Sequence, residues 1–187
     1  QTGFLEQFAA AGLKESIGVV STNYGSGNQQ VVVSPQAGEG LVSAMGYFPS
    51  VESEANAKFL AAWEGAYGTV TPVVAGAVDV WNAVHLWAAA ANQAGSADTD
   101  EVIAALESGL SFEAPNGTVT LEPGSHHLRQ DIYIASGNAT NGFDIIQTFE
   151  NSVPTYENEV CNLIENPDLD AAELMEYVPA PDFPTGG

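Results

Sequence analysis

Basic side chains are scarce in this chain. Its 187 residues include three lysines and arginines against 24 aspartates and glutamates, a formal net charge of −21. Nucleic acid and anionic lipid are held by lysine and arginine, so this charge balance disfavours both as partners. Two explanations of the acidic surface stay open: hydration and screening in a salty extracellular or periplasmic setting, and binding of multivalent cations, although no calcium loop of the Asp-x-Asp-x-Asp-Gly type occurs.

Cysteine is almost absent as well. One cysteine, Cys161, makes neither an internal disulfide nor a metal cluster, and no local signature supplies the base that a thiol nucleophile needs. His126 and His127 are adjacent, and on a strand they would point to opposite faces, so they cannot easily share one ion. A Gly-x-Ser-x-Gly elbow is missing too. We therefore expect no enzyme, no metal and no cofactor.

Long apolar runs are also missing. No unbroken apolar stretch reaches about 18 residues, so we expect no membrane span. No signal peptide is visible at Gln1, which leaves three readings open: a mature chain, a cytoplasmic chain, or a piece of a longer one.

Hydrophobic periodicity predicts an α/β chain, with alternating elements first and a meander of strands last. Predicted helices cover residues 3–11, 53–67, 72–93 and 98–106. Predicted strands cover residues 16–21, 41–48, 117–122, 129–136 and 142–149, and residues 30–34 read as a short strand or an irregular loop. A further helical turn or two is predicted at 170–177.

Several short motifs then occur in an order that resembles a known family. They are Tyr47-Phe48-Pro49-Ser50, the helix start Ala55-Asn56-Ala57-Lys58-Phe59, the turn and strand Ala114-Pro115-Asn116-Gly117-Thr118-Val119, and the pair His126-His127. Over residues 40–149 this order is similar to the urea and short-chain amide branch of the type I periplasmic solute-binding proteins of ABC importers. That branch is related to the branched-chain amino-acid binding proteins.

The resemblance implies two flavodoxin-like α/β lobes that close over a ligand by a hinge. It assigns 1–71 to part of the second lobe, 72–115 to helices contributed to the first lobe, and 116–150 to the crossover and closing strands of the second lobe. Residues 151–187 form an acidic, proline-containing C-terminal tail. The sheet of the first lobe has no counterpart here, so the resemblance implies a fragment, a split protein or a rearranged relative.

The resemblance also implies a ligand site. Tyr47 and Phe48 would form a wall of the cleft, with strand alternation turning one of the two away; the alternative is ordinary core packing. Asp79 and Trp81 would contact the ligand from the long helix. The alternatives are a structural or solvent-facing carboxylate for Asp79 and a tryptophan packed in the core for Trp81. Where the urea branch carries an Asp-Pro-Met-Glu type of stretch, this chain has Ala75-Gly76-Ala77-Val78, which counts against urea itself.

The function implied by the resemblance is the substrate-binding component of an ABC importer. It would capture a small polar amide, a urea-like compound or an amino acid and pass it to an ABC permease, in a periplasmic or extracellular, surface-attached location. Two alternatives stay open: an amide-sensing regulator or receptor domain of the same fold, and a structural or assembly protein without a ligand. A lipid anchor outside this sequence and self-assembly are open as well.

Overall fold

The structure is a computed structural model that describes residues 1–69, 72–155 and 162–168. Its helices are α1 (Thr2–Ala10), α2 (Gln29–Val32), α3 (Pro35–Gly38), α4 (Glu54–Tyr67), α5 (Ala75–Ala94) and α6 (Thr99–Leu106). Its strands are β1 (Val20–Ser21), β2 (Val42–Met45), β3 (Ser111–Ala114), β4 (Gly117–Leu121), β5 (Leu128–Gly137) and β6 (Phe143–Ser152). This order of elements confirms the predicted α/β class.

The sheet is organised around β5. Strands β1 and β2 are parallel, and β2 pairs antiparallel with the C-terminal half of β5. The start of β5 pairs instead with β4, which forms an antiparallel hairpin with β3. Strand β6 pairs with β5 along nearly its whole length. One strand therefore connects the β1–β2 sheet to the β3–β4 hairpin.

The core consists of two groups of buried side chains. The first cluster includes Tyr24, Leu41, Met45, Tyr47, Phe48, Phe59, Val78, Tyr133 and Phe143. The second cluster is built by α5, α6 and the β3–β4 hairpin and combines two smaller groups that both pack against the partly buried Leu106 and Leu110. One group is Leu86, Ala114 and Val119, and the other is Ala90, Val102 and Ala105. Helix α5 contributes side chains to both clusters. Its buried residues recur at every fourth position, the spacing that keeps them on one face along the length of a helix.

Local sequence signals fix the helix ends where they were expected. The Ser53 hydroxyl accepts a hydrogen bond from the Asn56 N–H at the start of α4, and Gly95 ends α5 in the left-handed conformation. Asp98 begins α6 by accepting a hydrogen bond from the Asp100 N–H.

Other predicted elements are wrong in detail. Residues 30–34 were expected to form a short strand or an irregular loop, but α2 is a helical turn whose Val31 and Val32 are half exposed, so their β-branched side chains do not mark a buried strand. Only Val20 and Ser21 of the strand expected at 16–21 pair with a neighbour.

The long helix and the hairpin also differ from expectation. The long helix begins at Ala75 rather than at residue 72, because Val74 is still extended. Strand β3 was not predicted, since its four residues resembled the approach to a turn.

The predicted tail at 151–187 starts inside β6, because Asn151 and Ser152 still belong to that strand. The helical turns predicted at 170–177, like Cys161, lie outside the described residues. Within the described residues, every helix is too short or too polar to cross a membrane.

Candidate functional site

Tyr47 and Phe48 lie inside the first cluster. Their exposed fractions are 2% and 0%. The Tyr47 hydroxyl donates a hydrogen bond of 2.9 Å to Asn56 Oδ1, and burial raises the pKa of that hydroxyl. The Phe48 ring centroid is 4.9 Å from that of Phe143. The expected alternation is wrong here, because β2 ends at Met45 and the two residues follow the strand rather than belonging to it.

Asp79 and Trp81 occupy different sides of α5. Asp79 is on the exposed side, and partial shielding of its carboxyl group from water raises its pKa. Trp81 is half-buried and packs edge-on against Phe59, with ring centroids 5.2 Å apart. Phe59 in turn packs edge-on against Tyr47 at 6.3 Å. The structure therefore joins Tyr47 to Trp81 through Phe59 and leaves Asp79 apart.

Trp81 belongs to a row of rings, the aromatic ladder, that runs across α4, α5 and β3. Its members in spatial order are Tyr67, Trp63, Phe59, Trp81, His85 and Phe112. Successive ring centroids are 4.5, 6.1, 5.2, 4.4 and 5.7 Å apart. Separations of this size are typical of interacting aromatic pairs. Trp81 was the one member expected in the ligand site; the other helical members were missed, although aromatic residues four positions apart in both helices signalled one common stripe.

A groove of about 530 Å³ lies between α4 and α5, and most of the ladder lines it. Its other lining residues are Ala62, Ala66, Ala77, Val80 and Val84. Tyr67 is 60% exposed, so the ladder ends at the surface. Alanines leave room between the two helices, and the rings supply flat apolar surface. The groove can hold a planar or apolar group by stacking and by exclusion of water.

A second hollow of about 450 Å³ lies on the other side of Trp81 and His85. Its polar rim comes from Ser53, Glu54 and Lys58 at the start of α4 and from Glu113 of β3. Lys58 Nζ lies 2.7 Å from Glu54 Oε1, and this contact lowers the pKa of Glu54. Both side chains are largely exposed, so the pair is weak and the ammonium can be shared with an anionic group.

Metal ligation finds little support in the described residues. They contain no group of three or more histidine, cysteine, aspartate or glutamate side chains arranged to hold an ion. His126 lies before β5, and its Nε2 atom is 2.8 Å from Glu107 Oε1.

Solved structures with a similar fold are solute-binding proteins. One is a solute-binding protein of an ABC transporter from Rhodopseudomonas palustris in complex with 3,4-dihydroxybenzoic acid. It is 26% identical in sequence, with a TM-score of 0.68, and the alignment covers 83% of this chain and 44% of that one. Another is a leucine-binding protein from Thermotoga maritima, 17% identical, with a TM-score of 0.62 and coverage of 79% and 41%. The chain thus spans about two fifths of the length of these proteins.

A curated relative of another kind is a limonene hydroxylase from Geobacillus stearothermophilus. It is 25% identical over 142 residues, which are 74% of this chain but 25% of that protein. So short a share of the relative carries no activity to this chain.

The family comparison agrees with the solved structures and with the β5-centred sheet. The model of the periplasmic binding protein domain matches residues 1–160. The fold expected from the sequence, part of a two-lobed type I periplasmic binding protein, is thereby confirmed. Because the match extends over most of its length, the chain belongs to the periplasmic binding protein domain family.

Proposed function

We propose that this chain is the C-terminal part of the substrate-binding component of an ABC importer. In this proposal it captures a small polar amide, a urea-like compound or an amino acid by hinge closure and delivers it to an ABC permease. The observation that supports this proposal is the family match over residues 1–160, since the solved proteins of this fold include solute-binding proteins of ABC transporters. The location that goes with this role is periplasmic or extracellular, with attachment to the surface.

The division of the chain into lobes stays part of this proposal. Segment 1–71 would belong to the second lobe, 72–115 to the first and 116–150 to the crossover and closing strands. The two clusters support part of such a division, because α6 and the β3–β4 hairpin share the second cluster while α1, β2, α4 and the end of β5 share the first; α5 contributes to both.

The ligand site that we propose is centred on Trp81. This side chain lines both the groove and the second hollow. Tyr47 supports it from behind through Phe59, and Phe48 lies deeper in the same core. Asp79 would contribute a carboxylate from the exposed side of α5. Direct contact of a solute with Tyr47 or Phe48 requires the packing around them to open.

A second ligand class, an aromatic carboxylic acid, is favoured by a specific observation. The aromatic ladder offers stacking surface, and Lys58, one of three basic residues in the chain, stands at the rim of the second hollow. A flat ring beside Trp81 would place a carboxylate near that ammonium. The similar proteins from Rhodopseudomonas palustris bind 3,4-dihydroxybenzoic acid and benzoate.

Thermal unfolding with added solutes tests both classes. The panel consists of urea, acetamide, leucine, benzoate and 3,4-dihydroxybenzoate. A solute present at 100 times its Kd adds about 2.7 kcal/mol to the free energy of unfolding, which is a readily measured rise in Tm. If no member of the panel moves the transition, the proposed ligand classes are wrong.

Two tryptophan variants then locate the site. Trp81→Ala removes the ring that lines both spaces, so the panel member that binds should lose affinity at least about tenfold, an effect of 1.4 kcal/mol. Trp87→Ala is the matched control, because Trp87 lies on the same helix, is 51% exposed and does not line the groove. Calorimetric titration measures both Kd values. Equal losses in the two variants would contradict a site at Trp81.

A further inference from the structure

Three side-chain amides, two of them fully buried and the third half-buried, form a hydrogen-bonded relay that the proposed ligand site does not use. Asn82 Nδ2 donates to Asn116 Oδ1 at 2.9 Å, and Asn116 Nδ2 donates to Gln130 Oε1 at 2.8 Å. Asn82 and Asn116 are 0% and 1% exposed. Among the described residues, Asn82 Oδ1 is buried without a hydrogen-bond partner. We call this group the amide seam.

The seam interrupts the buried stripe of α5. Val78 on that stripe belongs to the first cluster and Leu86 to the second, and Asn82 lies midway between them on the same face. An apolar residue at this position would continue the core from one cluster to the other. The side chain found there is instead an amide, which is expensive to bury unless it is hydrogen-bonded.

Strand β5 also has a polar side chain between the residues that pack in the two clusters. Leu128 packs against the second cluster, Tyr133 belongs to the first, and Gln130 lies between them. Its carboxamide reaches over Gly46, just beyond the end of β2. Three elements therefore each place one amide at the boundary: α5 and β5, which contact both clusters, and the β3–β4 hairpin, which belongs to the second.

The hairpin contributes its turn. Pro115 and Asn116 are fully buried, whereas turn residues ordinarily lie at the surface. The Asn116 carbonyl also accepts a hydrogen bond of 3.1 Å from the Tyr133 hydroxyl. Asn116 thus docks the second cluster onto the strand that carries the first.

We propose that the amide seam is the articulation between the two clusters and sets the angle between them. Interdigitated apolar side chains resist sliding, whereas amides can exchange partners while staying hydrogen-bonded. The unpartnered Asn82 Oδ1 supplies a spare acceptor for a second arrangement of the seam. Asn82, Asn116 and Gln130 act as positioning residues, and no ligand is needed for them to do so.

A distance measurement tests this without any ligand. Spin labels are attached to Gln7→Cys on α1 and Ala104→Cys on α6, both exposed positions, with Cys161 replaced by serine. Double electron–electron resonance then reports the distribution of distances between the two clusters. We expect one narrow distribution for the parent and a broadened or split one for Asn116→Ala.

The matched control is Asn56→Ala. Asn56 is 1% exposed and bonds Tyr47, Pro49 and Val51, all within or beside the first cluster. Its loss should lower stability comparably and leave the distance distribution narrow. A narrow distribution in Asn116→Ala, or equal broadening in Asn56→Ala, would overturn the proposal.

A milder variant covers the case in which Asn116→Ala does not fold. Gln130→Met keeps the approximate length of the side chain and removes its carboxamide, and with it the oxygen that accepts the hydrogen bond from Asn116 Nδ2. Broadening in this variant supports the articulation, and a distribution as narrow as that of the parent overturns it. Because every measurement is made without solute, failure of the seam and failure of the proposed ligand capture give different results.

Discussion

Residues two positions apart on α5 meet different surroundings, and their chemistry follows from that. Trp81 faces α4 and packs between Phe59 and His85. Asp79 faces outward, yet neighbouring groups shield its carboxyl group enough to raise its pKa. A raised carboxyl pKa means that folding disfavours the charged form.

Asp79→Asn should therefore stabilise the protein at neutral pH. Above the folded pKa the wild-type carboxylate is charged and opposes folding; below the unfolded pKa, near 3.9, it is protonated in both states and the penalty vanishes. We expect the variant to gain free energy of unfolding at pH 7 and to match wild type near pH 3.

Urea denaturation at both pH values measures this effect. Glu39→Gln is the control, since it removes one charge from another exposed position. An equal gain in the control would assign the effect of Asp79 to net charge, and no gain at pH 7 would contradict the prediction.

Among the elements, β5 carries the largest share of the architecture. It pairs with β2, β4 and β6, and its last residue, Gly137, exchanges backbone hydrogen bonds of 2.8 Å with Gly40 and Leu41. A Cβ atom on Gly137 would lie 2.3 Å from the Gly38 carbonyl oxygen. The end of β5 therefore lies so close to the end of α3 that a Cβ atom does not fit between the two backbones.

Gly137→Ala should lower the free energy of unfolding by at least about 1 kcal/mol, because the new methyl group would displace backbone rather than a flexible side chain. Gly65→Ala is the matched control. A Cβ atom there meets nothing within 4 Å, and the residue lies inside α4, so alanine should raise stability by about 0.5–1 kcal/mol. Chemical denaturation measures both changes. Opposite signs are expected, and a Gly137→Ala variant as stable as the parent would contradict the close approach.

At the scale of the molecule, the acidic net charge is the property that bears most on stability. A net charge of −21 on 187 residues makes the compact state repel itself more than the unfolded chain does. Added salt shortens the Debye length from about 10 Å at 0.1 M to about 3 Å at 1 M, so it weakens this repulsion.

The midpoint of thermal unfolding should rise between low salt and 1 M NaCl. MgCl₂ at matched ionic strength is the comparison that separates the two explanations of the acidic surface. Equal midpoints indicate screening, whereas a higher midpoint in Mg²⁺ indicates bound multivalent cations. A midpoint that does not respond to NaCl would show that self-repulsion is unimportant.

The sequence by itself determined the fold class, both ends of α4 and α6, the C-terminal end of α5, and the periplasmic binding protein family, because capping residues, periodic apolar positions and turn motifs are local signals. Burial was decided only by the tertiary structure. Tyr47 and Phe48 are residues of the kind that line binding sites, but both are buried in the core. They follow the end of β2, so strand alternation does not turn either side chain outward. The seam of Asn82, Asn116 and Gln130 joins residues up to 48 positions apart. The sequence marks Asn116 as a turn residue, but no local signal shows that the three side chains meet. Hydrogen bonds between distant elements exist only once packing has brought those elements together.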